Sequence, residues 1–333
     1  MVLASGQGAR FTPLTKYLPK PLLPAANRAL LEHLLNALKD GGVTEVILTA
    51  GHLASQLEEF INKISLNFSL KLVRAPHWRQ GPLASFSSVL PFIKEEDKPF
   101  LLLPCDLFLS AQNIQLLCKT SAEHALLYDS QRFRPGPTLT LDTKLRVTSL
   151  THTSTPLTNG YSLLPALRST PALFHLSKLS KSSNPTTVFE LLQLWVAKRR
   201  AFFGISIIPD DWFDVDTPQD LINLNQYLLT NGWPPTPIPT GFYLPPSVRL
   251  SGPLKIQEAV LGQKTRLIGP ALLGPRVRIG DNCLIDGGST LGESTVLHNN
   301  TALHRCVTLP HTEIPAGSNH RNTILYSKGK AIR

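Results

Sequence analysis

The sequence predicts an α/β protein in two parts, a doubly wound sheet followed by a parallel β-helix. Strand and helix spacings alternate along the first two thirds of the chain, which is typical of a doubly wound sheet. A six-residue period then takes over, which is typical of a β-helix. We therefore predict an α/β domain over 1–230, a stiff proline-rich linker over 231–247 and a β-helix over 248–333.

The α/β prediction rests on apolar segments that alternate between strand and helix spacing. Strands are predicted where apolar or β-branched residues run together, at 43–50, 70–73 and 100–103. Helices are predicted at 30–38, at 54–64 and from 81 to about 94. Ligands of such sheets bind at the carboxyl ends of the strands. We therefore expect the opening loop, the turn at 76–84 and the end of the strand at 100–103 to meet.

A regular six-residue period supports the β-helix. An aliphatic residue recurs at every sixth position, and four residues after nearly every one stands a small residue. The aliphatic positions are Leu261, Leu267, Leu273, Ile279, Ile285, Leu291, Leu297, Leu303 and Leu309. The positions four residues later are Thr265, Ala271, Val277, Cys283, Ser289, Thr295, Thr301 and Val307. Because each coil has three short faces, these hexads predict about three coils with the aliphatic side chains inside.

The composition argues against several classes of protein. The net charge of +10 is scattered without a basic stripe that interleaves aromatic residues, so no nucleic-acid partner is predicted. No segment has the ~18 consecutive apolar residues that span a bilayer, so no membrane partner is predicted. The four cysteines form no C-x-x-C pair, which predicts reduced thiols in a cytoplasmic protein. The excess of basic over acidic residues also suits a protein whose ligands are phosphates.

The first two dozen residues carry the strongest functional signal. A short apolar run leads into Gly6 and Gly8, Arg10 follows, and Lys20 stands between two prolines. Glycines let backbone amides close around a polyphosphate, while an arginine fork and a lysine charge bind phosphate oxygens. The third glycine of the dinucleotide fingerprint and the Gly-Lys-Ser/Thr of the P-loop are both missing. These residues predict a polyphosphate loop of another type.

The string L-A-S-G-x-G-x-R-F-x-P-L-T, followed by P-K-P-L-L-P, resembles the signature of sugar-1-phosphate nucleotidylyltransferases. The nearest types are glucose-1-phosphate thymidylyltransferase and mannose-1-phosphate guanylyltransferase. The resemblance implies a Rossmann-like doubly wound mixed sheet of the nucleotide-diphospho-sugar transferase type, and the left-handed form of the β-helix. The residues that it assigns to nucleotide binding are Leu3, Ala4, Gly6, Gly8, Gly81 and Asp106. The residues that it assigns to catalysis are Arg10 and Lys20. Members of this family usually have a longer first strand than Met1 to Leu3.

The same resemblance implies a Mg²⁺ cofactor on two aspartates. Asp106 follows a buried apolar strand, where a carboxylate suits a metal above a triphosphate, although it could instead cap a helix near Ser110. The segment from Trp212 to Leu221 resembles the family motif W-x-D-x-G-T-P-E-D-L, whose first aspartate corresponds to Asp214. Asp216 is either a further ligand or a helix cap.

The acceptor half of the site departs from the family pattern. Asn159 and Gly160 resemble the segment that contacts the sugar, but they also fit a plain turn. The family usually has Glu-Lys-Pro where this chain has 151–154, which holds neither a carboxylate nor a lysine. Pro76 stands where some members read the base with a glutamine, so the base is not assigned.

The sequence therefore predicts a Mg²⁺-dependent enzyme that joins a nucleoside triphosphate and a sugar 1-phosphate and releases pyrophosphate. Three alternatives stay open: a regulatory homologue without catalysis, an enzyme with a non-sugar acceptor such as phosphocholine, and an additional acyltransferase in the β-helix. The last rests on His298 and His304, whose equivalent hexad positions would stack them on one edge. We expect the β-helix to make a homo-oligomer, because repeat stacks expose surfaces that need a partner.

Overall fold

A computed structural model describes residues 1–64, 68–93, 99–173, 185–208, 212–231 and 245–333. Contacts divide the chain into two compact units, here called the first and the second unit. The first unit comprises Met1–Gln7, Pro19–Pro21 and Leu31–Asp214. The second comprises Gly8–Leu18, Leu22–Leu30 and Val215–Arg333. Most of the predicted linker lies outside the described residues, so its boundaries stay a prediction.

The α/β region contains thirteen described strands and six described α-helices. The strands are β1 Val2–Ala4, β2 Pro24–Ala25, β3 Arg28–Ala29, β4 Glu45–Ala50, β5 Ser69–Arg74, β6 Phe100–Pro104, β7 Leu107–Leu109, β8 Ala125–Asp129, β9 Gly136–Leu141, β10 Val147–Thr153, β11 Gly160–Ser169, β12 Phe203–Ser206 and β13 Trp212–Asp214. The helices are α1 Leu30–Asp40, α2 Ala54–Lys63, α3 Pro82–Ser87, α4 Ala111–Lys119, α5 Val188–Ala197 and α6 Pro218–Asn231. Within the described residues, no helix is both long enough and apolar enough to cross a membrane.

The first unit is built on one mixed sheet, which confirms the predicted α/β class. Its strand order is β10-β9-β11-β6-β1-β4-β5, and β8 joins β11 to β12. Strands β6, β1, β4 and β5 are parallel, whereas β11 runs antiparallel to β6. The start of β11 therefore lies toward the edge at which β6 ends, and ligand-binding loops of the parallel strands emerge at that edge.

One predicted helix of the first unit is much shorter than expected. The segment after Gly81 was predicted to be helical to about residue 94, but α3 ends at Ser87. A separate 3-10 turn follows at Leu90–Phe92, with Pro91 in its first turn. Proline lacks the N–H that a continuing helix would need, so the helix does not extend across it.

Two three-residue strands bring distant parts of the first unit together. Strand β13 pairs antiparallel with β7, and Asp214 lies opposite Leu107, the residue after Asp106. No pattern in the sequence predicts this pairing. The pairing joins β7, which follows β6, to a segment more than a hundred residues later in the chain, and it sets the position of Asp214.

The described β-helix is formed by thirteen short strands. They are β14 Arg249–Ser251, β15 Leu254–Ile256, β16 Ala259–Leu261, β17 Arg266–Ile268, β18 Ala271–Leu273, β19 Val277–Ile279, β20 Leu284–Asp286, β21 Ser289–Leu291, β22 Val296–Leu297, β23 Ala302–Thr308, β24 Glu313–Ile314, β25 Asn319–Tyr326 and β26 Lys330–Ile332. Successive coils pair in parallel at offsets of 17 or 18 residues, as in Arg249↔Arg266 and Ala259↔Val277. All nine predicted aliphatic positions are buried, which confirms the hexads. The left hand of the helix stays a prediction.

The expected stacking of His298 and His304 is wrong. Residues six apart occupy neighbouring faces of a coil, and only residues about three hexads apart stack. His304 lies on β23 beside β20, whereas His298 follows β22 in the sheet that holds β24. Each imidazole instead contacts a carboxylate on a neighbouring coil. His304 Nδ1 lies 2.7 Å from Asp286 Oδ1, and His298 Nε2 lies 2.9 Å from Glu313 Oε1.

Helix α6 belongs to the second unit, where its buried Asn225 binds three polar groups. Its Oδ1 accepts the backbone N–H of Ala26 at 2.9 Å and the hydroxyl of Thr290 at 2.8 Å. Its Nδ2 donates to the carbonyl oxygen of Gly288 at 3.0 Å. Nearby, Asn27 Nδ2 donates to the carbonyl oxygen of Leu291 at 3.0 Å. One amide thus fixes α6 and the 22–30 segment to the same β-helix coil.

Candidate active site

A buried ion pair lies at the carboxyl end of β6. Lys20 Nζ bonds to Asp106 Oδ2, and the side chains are only 10% and 16% exposed. Lys20 begins a 3-10 turn, and Asp106 directly follows the β6 segment and precedes β7. Removing one partner would leave the other charge buried without compensation, so the pair holds both groups in place. The alternative that Asp106 caps the next helix is wrong, because Ser110 caps α4 and accepts the N–H of Asn113.

A second carboxylate stands beside this pair. Carboxylate oxygens of Asp106 and Asp214 lie within 4.8 Å of each other, as the pairing of β7 with β13 requires. Two hard oxygen donors at this separation fit Mg²⁺, which binds proteins through one or two carboxylates and leaves other positions for water and phosphate oxygens. The donor set therefore suits the metal that the sequence predicted.

Arg10 and Asp216 meet within the second unit. Arg10 Nη1 lies 2.7 Å from Asp216 Oδ2, with side chains 64% and 46% exposed. The helix-cap alternative for Asp216 is wrong, because α6 begins at Pro218 and Thr217 holds the cap position. The Thr217 hydroxyl oxygen accepts the N–H of Asp220, and the Asp220 carboxylate accepts the N–H of Thr217 at 2.8 Å. Asp216 instead pairs with Arg10 and offsets its charge.

The opening loop contains a glycine in a left-handed conformation. Gly8 takes φ 65° and ψ 48°, a left-handed conformation that favours glycine. A Cβ added to Gly6 would meet no atom within 4 Å, so the loop faces open space there. Leu3 and Ala4 lie in β1, and the N–H of Ala4 donates to the Thr49 hydroxyl at 3.1 Å.

Gly81 and its helix lie beside the start of this loop. Gly81 has φ 112°, and a Cβ there would come within 3.0 Å of the Thr186 carbonyl oxygen, so only glycine fits without strain. The hydroxyl of Ser85 in α3 accepts a 2.5 Å hydrogen bond from Ser5 Oγ. No pattern in the sequence indicates this contact, which ties α3 to the loop.

The predicted sugar-side residues form a turn. Asn159 has φ 61°, and the N–H of Gly160 donates to the carbonyl oxygen of Leu157 at 3.0 Å. The turn leads into β11, as the plain-turn alternative predicts. Residues 151–153 lie on β10. The exposed His152 packs edge to face against Phe189, with 4.6 Å between the two ring centres.

Sequence reasoning missed a network around Trp212, two residues before Asp214. Trp212 Nε1 donates to the buried Asp129 at 3.0 Å, and Arg134 stacks on the indole with its guanidinium carbon 3.8 Å from the ring centre. Arg134 Nη2 also donates to the Trp212 carbonyl oxygen at 3.3 Å, and its backbone N–H donates to Ser162 Oγ at 2.7 Å. No spacing in the sequence relates residue 134 to residue 212, so only the folded chain shows it.

Cys105, next to Asp106, is fully buried. Burial raises the pKa of its thiol well above the ordinary value, and the neighbouring Asp106 charge acts in the same direction. The group is a neutral thiol at physiological pH and acts as a small apolar side chain.

The mixed α/β sheet is the one that the resemblance to sugar-1-phosphate nucleotidylyltransferases implied. Comparison with known families agrees: residues 1–183 match the MobA-like NTP transferase domain. The chain belongs to the MobA-like NTP transferase family, which confirms the predicted nucleotidyltransferase class.

Named relatives extend across both parts of the chain. A probable mannose-1-phosphate guanylyltransferase 3 from Oryza sativa subsp. japonica is 25% identical over 326 residues, covering 92% of this chain and 83% of that protein. Mannose-1-phosphate guanylyltransferase 1 from Arabidopsis thaliana is 24% identical, with the same two coverages. An inositol-1-phosphate CTP transferase from T. maritima shares the fold with a TM-score of 0.57 at 17% identity, covering 69% of this chain and 95% of that one.

Proposed function

We propose that this protein is a sugar-1-phosphate nucleotidylyltransferase that uses GTP and mannose 1-phosphate. The observation that carries the proposal is the buried Lys20–Asp106 pair with Asp214 beside it, at the end of the central parallel strands. The choice of base and sugar is supported by relatives that match most of their own length and are named mannose-1-phosphate guanylyltransferases.

The reaction is an in-line displacement at phosphorus. A phosphate oxygen of the sugar 1-phosphate attacks the α-phosphorus of the triphosphate, the new P–O bond forms, and the bond to the pyrophosphate leaving group breaks. Such a reaction depends on positioning and charge neutralisation rather than on a covalent enzyme intermediate. A rigid, partly buried cluster of opposite charges is suited to that task.

Each predicted residue receives a role on this proposal. The backbone of Leu3 and Ala4, the loop glycines and Gly81 surround the nucleotide, and Arg10 binds its triphosphate. Lys20 contacts the reacting phosphate groups from a fixed position. Asp106 and Asp214 hold Mg²⁺, which when bound neutralises phosphate charge. The Asn159 and Gly160 turn borders the sugar.

The test measures pyrophosphate release over a grid of nucleoside triphosphates and sugar 1-phosphates with Mg²⁺. We expect the highest kcat/KM with GTP and mannose 1-phosphate. Lys20→Met should lower kcat by about 10²- to 10³-fold, the usual effect of losing one fixed charge-stabilising donor. Lys16→Met is the matched control, because Lys16 is exposed on the same loop. Turnover in Lys20→Met equal to that of the control would contradict the proposed role, and a folded wild type without turnover would favour the regulatory homologue.

The cell compartment and assembly are further parts of this proposal. We place the enzyme in the cytoplasm, which is supported by four free cysteines among the described residues. We propose that the β-helix makes a homo-oligomer, which light scattering of the intact protein tests directly. A monomeric mass at micromolar concentration would contradict the assembly.

A further inference from the structure

We infer that Asp129 is a positioning residue of the metal site, which acts through the Trp212 indole to hold the Asp214 carboxylate beside Asp106. This inference rests on the proposed function, in which Asp106 and Asp214 bind Mg²⁺. Mg²⁺ demands near-ideal octahedral geometry with ligands at about 2.0 to 2.1 Å, so a small displacement of one carboxylate weakens its binding. The fold therefore has to fix both carboxylates.

The strand that carries Asp214 has little support of its own. Among the described strands, β13 pairs with β7 alone, and each of the two has three residues. An isolated two-stranded ribbon is marginally stable in water. A contact from a larger part of the fold is therefore needed to keep Asp214 in one place.

Asp129 supplies such a contact from the main sheet of the first unit. It is the last residue of β8, and it lies opposite Ser162 of the neighbouring strand β11. Its Oδ2 accepts a hydrogen bond from Trp212 Nε1 at 3.0 Å, and the two residues are only 2% and 3% exposed. A hydrogen bond from an indole to a carboxylate is charge-assisted, and burial removes the competition of water. The bond therefore ties β13 to the main sheet.

The other oxygen of Asp129 fixes the carboxylate itself. Oδ1 accepts the backbone N–H groups of Gln131 and Arg132 at 2.9 Å and 3.0 Å. A residue that only closed this turn would need one oxygen, and its second oxygen would be buried at a cost unless a donor reached it. Trp212 provides that donor. The two oxygens thus connect the turn after β8 with the indole on β13.

Strand geometry carries this constraint from Trp212 to Asp214. The two residues are two positions apart on β13, so their side chains project from the same face about 7 Å apart. The ring is also held on its face, because the Arg134 guanidinium carbon lies 3.8 Å from the ring centre. An indole held at its edge and on its face limits the rotation of β13 about its own axis. The direction in which the Asp214 side chain leaves the strand is thereby set.

The test compares Trp212→Phe with Trp195→Phe. Both changes keep an aromatic ring and remove one indole N–H, and both indoles are 3% exposed. Trp195 Nε1 has no hydrogen-bond partner among the residues that the structure describes, so its loss breaks no such bond. Mn²⁺ binding is measured by electron paramagnetic resonance without nucleotide, with Mg²⁺ as competitor. We expect Trp212→Phe to weaken the binding of both ions about tenfold, as is usual when a group that supports a metal ligand is lost, and Trp195→Phe to match the wild type.

Steady-state pyrophosphate release separates positioning from a general loss of structure. In Trp212→Phe, the free Mg²⁺ concentration at half-maximal rate should rise about tenfold, whereas the rate at saturating Mg²⁺ should return to near the wild-type value. Asp129→Asn combined with Trp212→Phe should bind Mn²⁺ no more weakly than Asp129→Asn alone, since both changes break the same hydrogen bond. Equal Mn²⁺ affinities in Trp212→Phe and the wild type would overturn the role of Asp129 and leave the proposed function standing.

A second measurement uses Trp212 itself and keeps the inference testable if Trp212→Phe does not fold. The indole nitrogens are labelled with ¹⁵N, and their NMR signals are followed as Mg²⁺ is added. Single replacements of Trp78, Trp195 and Trp233 by phenylalanine identify the Trp212 signal by elimination. Mg²⁺ should move the Trp212 signal and leave the Trp195 signal in place, and a Trp212 signal that does not respond would overturn the inference.

The same experiments distinguish a failure of the inference from a failure of the proposed function. A folded wild type that binds Mn²⁺ but turns over no sugar 1-phosphate would overturn the proposed activity, while the metal titrations would still decide the role of Asp129. A folded wild type that binds neither Mn²⁺ nor Mg²⁺ would overturn the metal site and the inference together.

Discussion

Replacement of Asn225 by alanine is expected to weaken the second unit severely. The side chain is fully buried and satisfies the N–H of Ala26, the carbonyl oxygen of Gly288 and the hydroxyl of Thr290. Alanine would leave these three polar groups buried without those bonds. At about 1 to 3 kcal/mol for each unsatisfied group, and with partial relaxation, the free energy of unfolding should fall by about 3 to 5 kcal/mol.

Hydrogen exchange is the suitable assay, because a protein with two units does not unfold as one two-state system. Peptides from α6 and from 286–292 should exchange about a hundredfold faster or more, since 1.4 kcal/mol corresponds to a factor of ten. Asn223→Ala is the matched control on the same helix, because Asn223 is exposed and bonds to Arg305 and Gln219 at the surface. If both variants exchange alike, the three hydrogen bonds of Asn225 do not stabilise the unit as argued.

Three further predictions concern stability and thiol chemistry. Burial lowers the pKa of His124 below its ordinary 6.5, so the stability that its neutral form contributes is complete above pH 6.5 and declines as the pH falls. In His124→Gln, the midpoint of urea unfolding should therefore depend less on pH between about pH 5 and 7 than it does in the wild type. Ile285→Ala should cost about 2 to 5 kcal/mol in urea unfolding of the β-helix, whereas Val260→Ala, at a residue 66% exposed, should cost little. Burial raises the pKa of Cys306 to about 11, so Ellman's reagent at pH 8 should modify it only after denaturation, and rapid reaction of the native protein would contradict its burial.

The β-helix was predictable in detail because its information is local and repeated. Each coil needs an aliphatic residue at the same place on each face, so the nine hexad positions from Leu261 to Leu309 predicted the core of the β-helix. All nine of these side chains are buried. The error over His298 and His304 arose because the six-residue period counts faces, whereas stacking follows the 17- or 18-residue coil.

The backbone of the opening loop was partly predictable for a different reason. Glycines in a loop leave a compact pattern in the sequence, and Gly8 takes a left-handed backbone that favours glycine. The pairing of Lys20 with Asp106 was not predicted, because the two residues lie 86 positions apart in the chain. The contact between Arg134 and Trp212 leaves no such pattern, because it depends on the pairing of two three-residue strands. Short strands far apart in sequence have no periodicity from which their partner can be read.

The membership of the second unit changes how this chain can be divided. A hexapeptide domain at the end of a sequence suggests a removable appendage, and a truncation after residue 230 would be the obvious experiment. However, residues 8–18 and 22–30, on either side of Lys20, group with the β-helix, and Asn27 bonds directly to a β-helix carbonyl. Such a truncation would remove the contacts that hold segments 8–18 and 22–30 to the β-helix. Loss of activity on truncation would therefore reflect a collapsed loop rather than a second function of the β-helix.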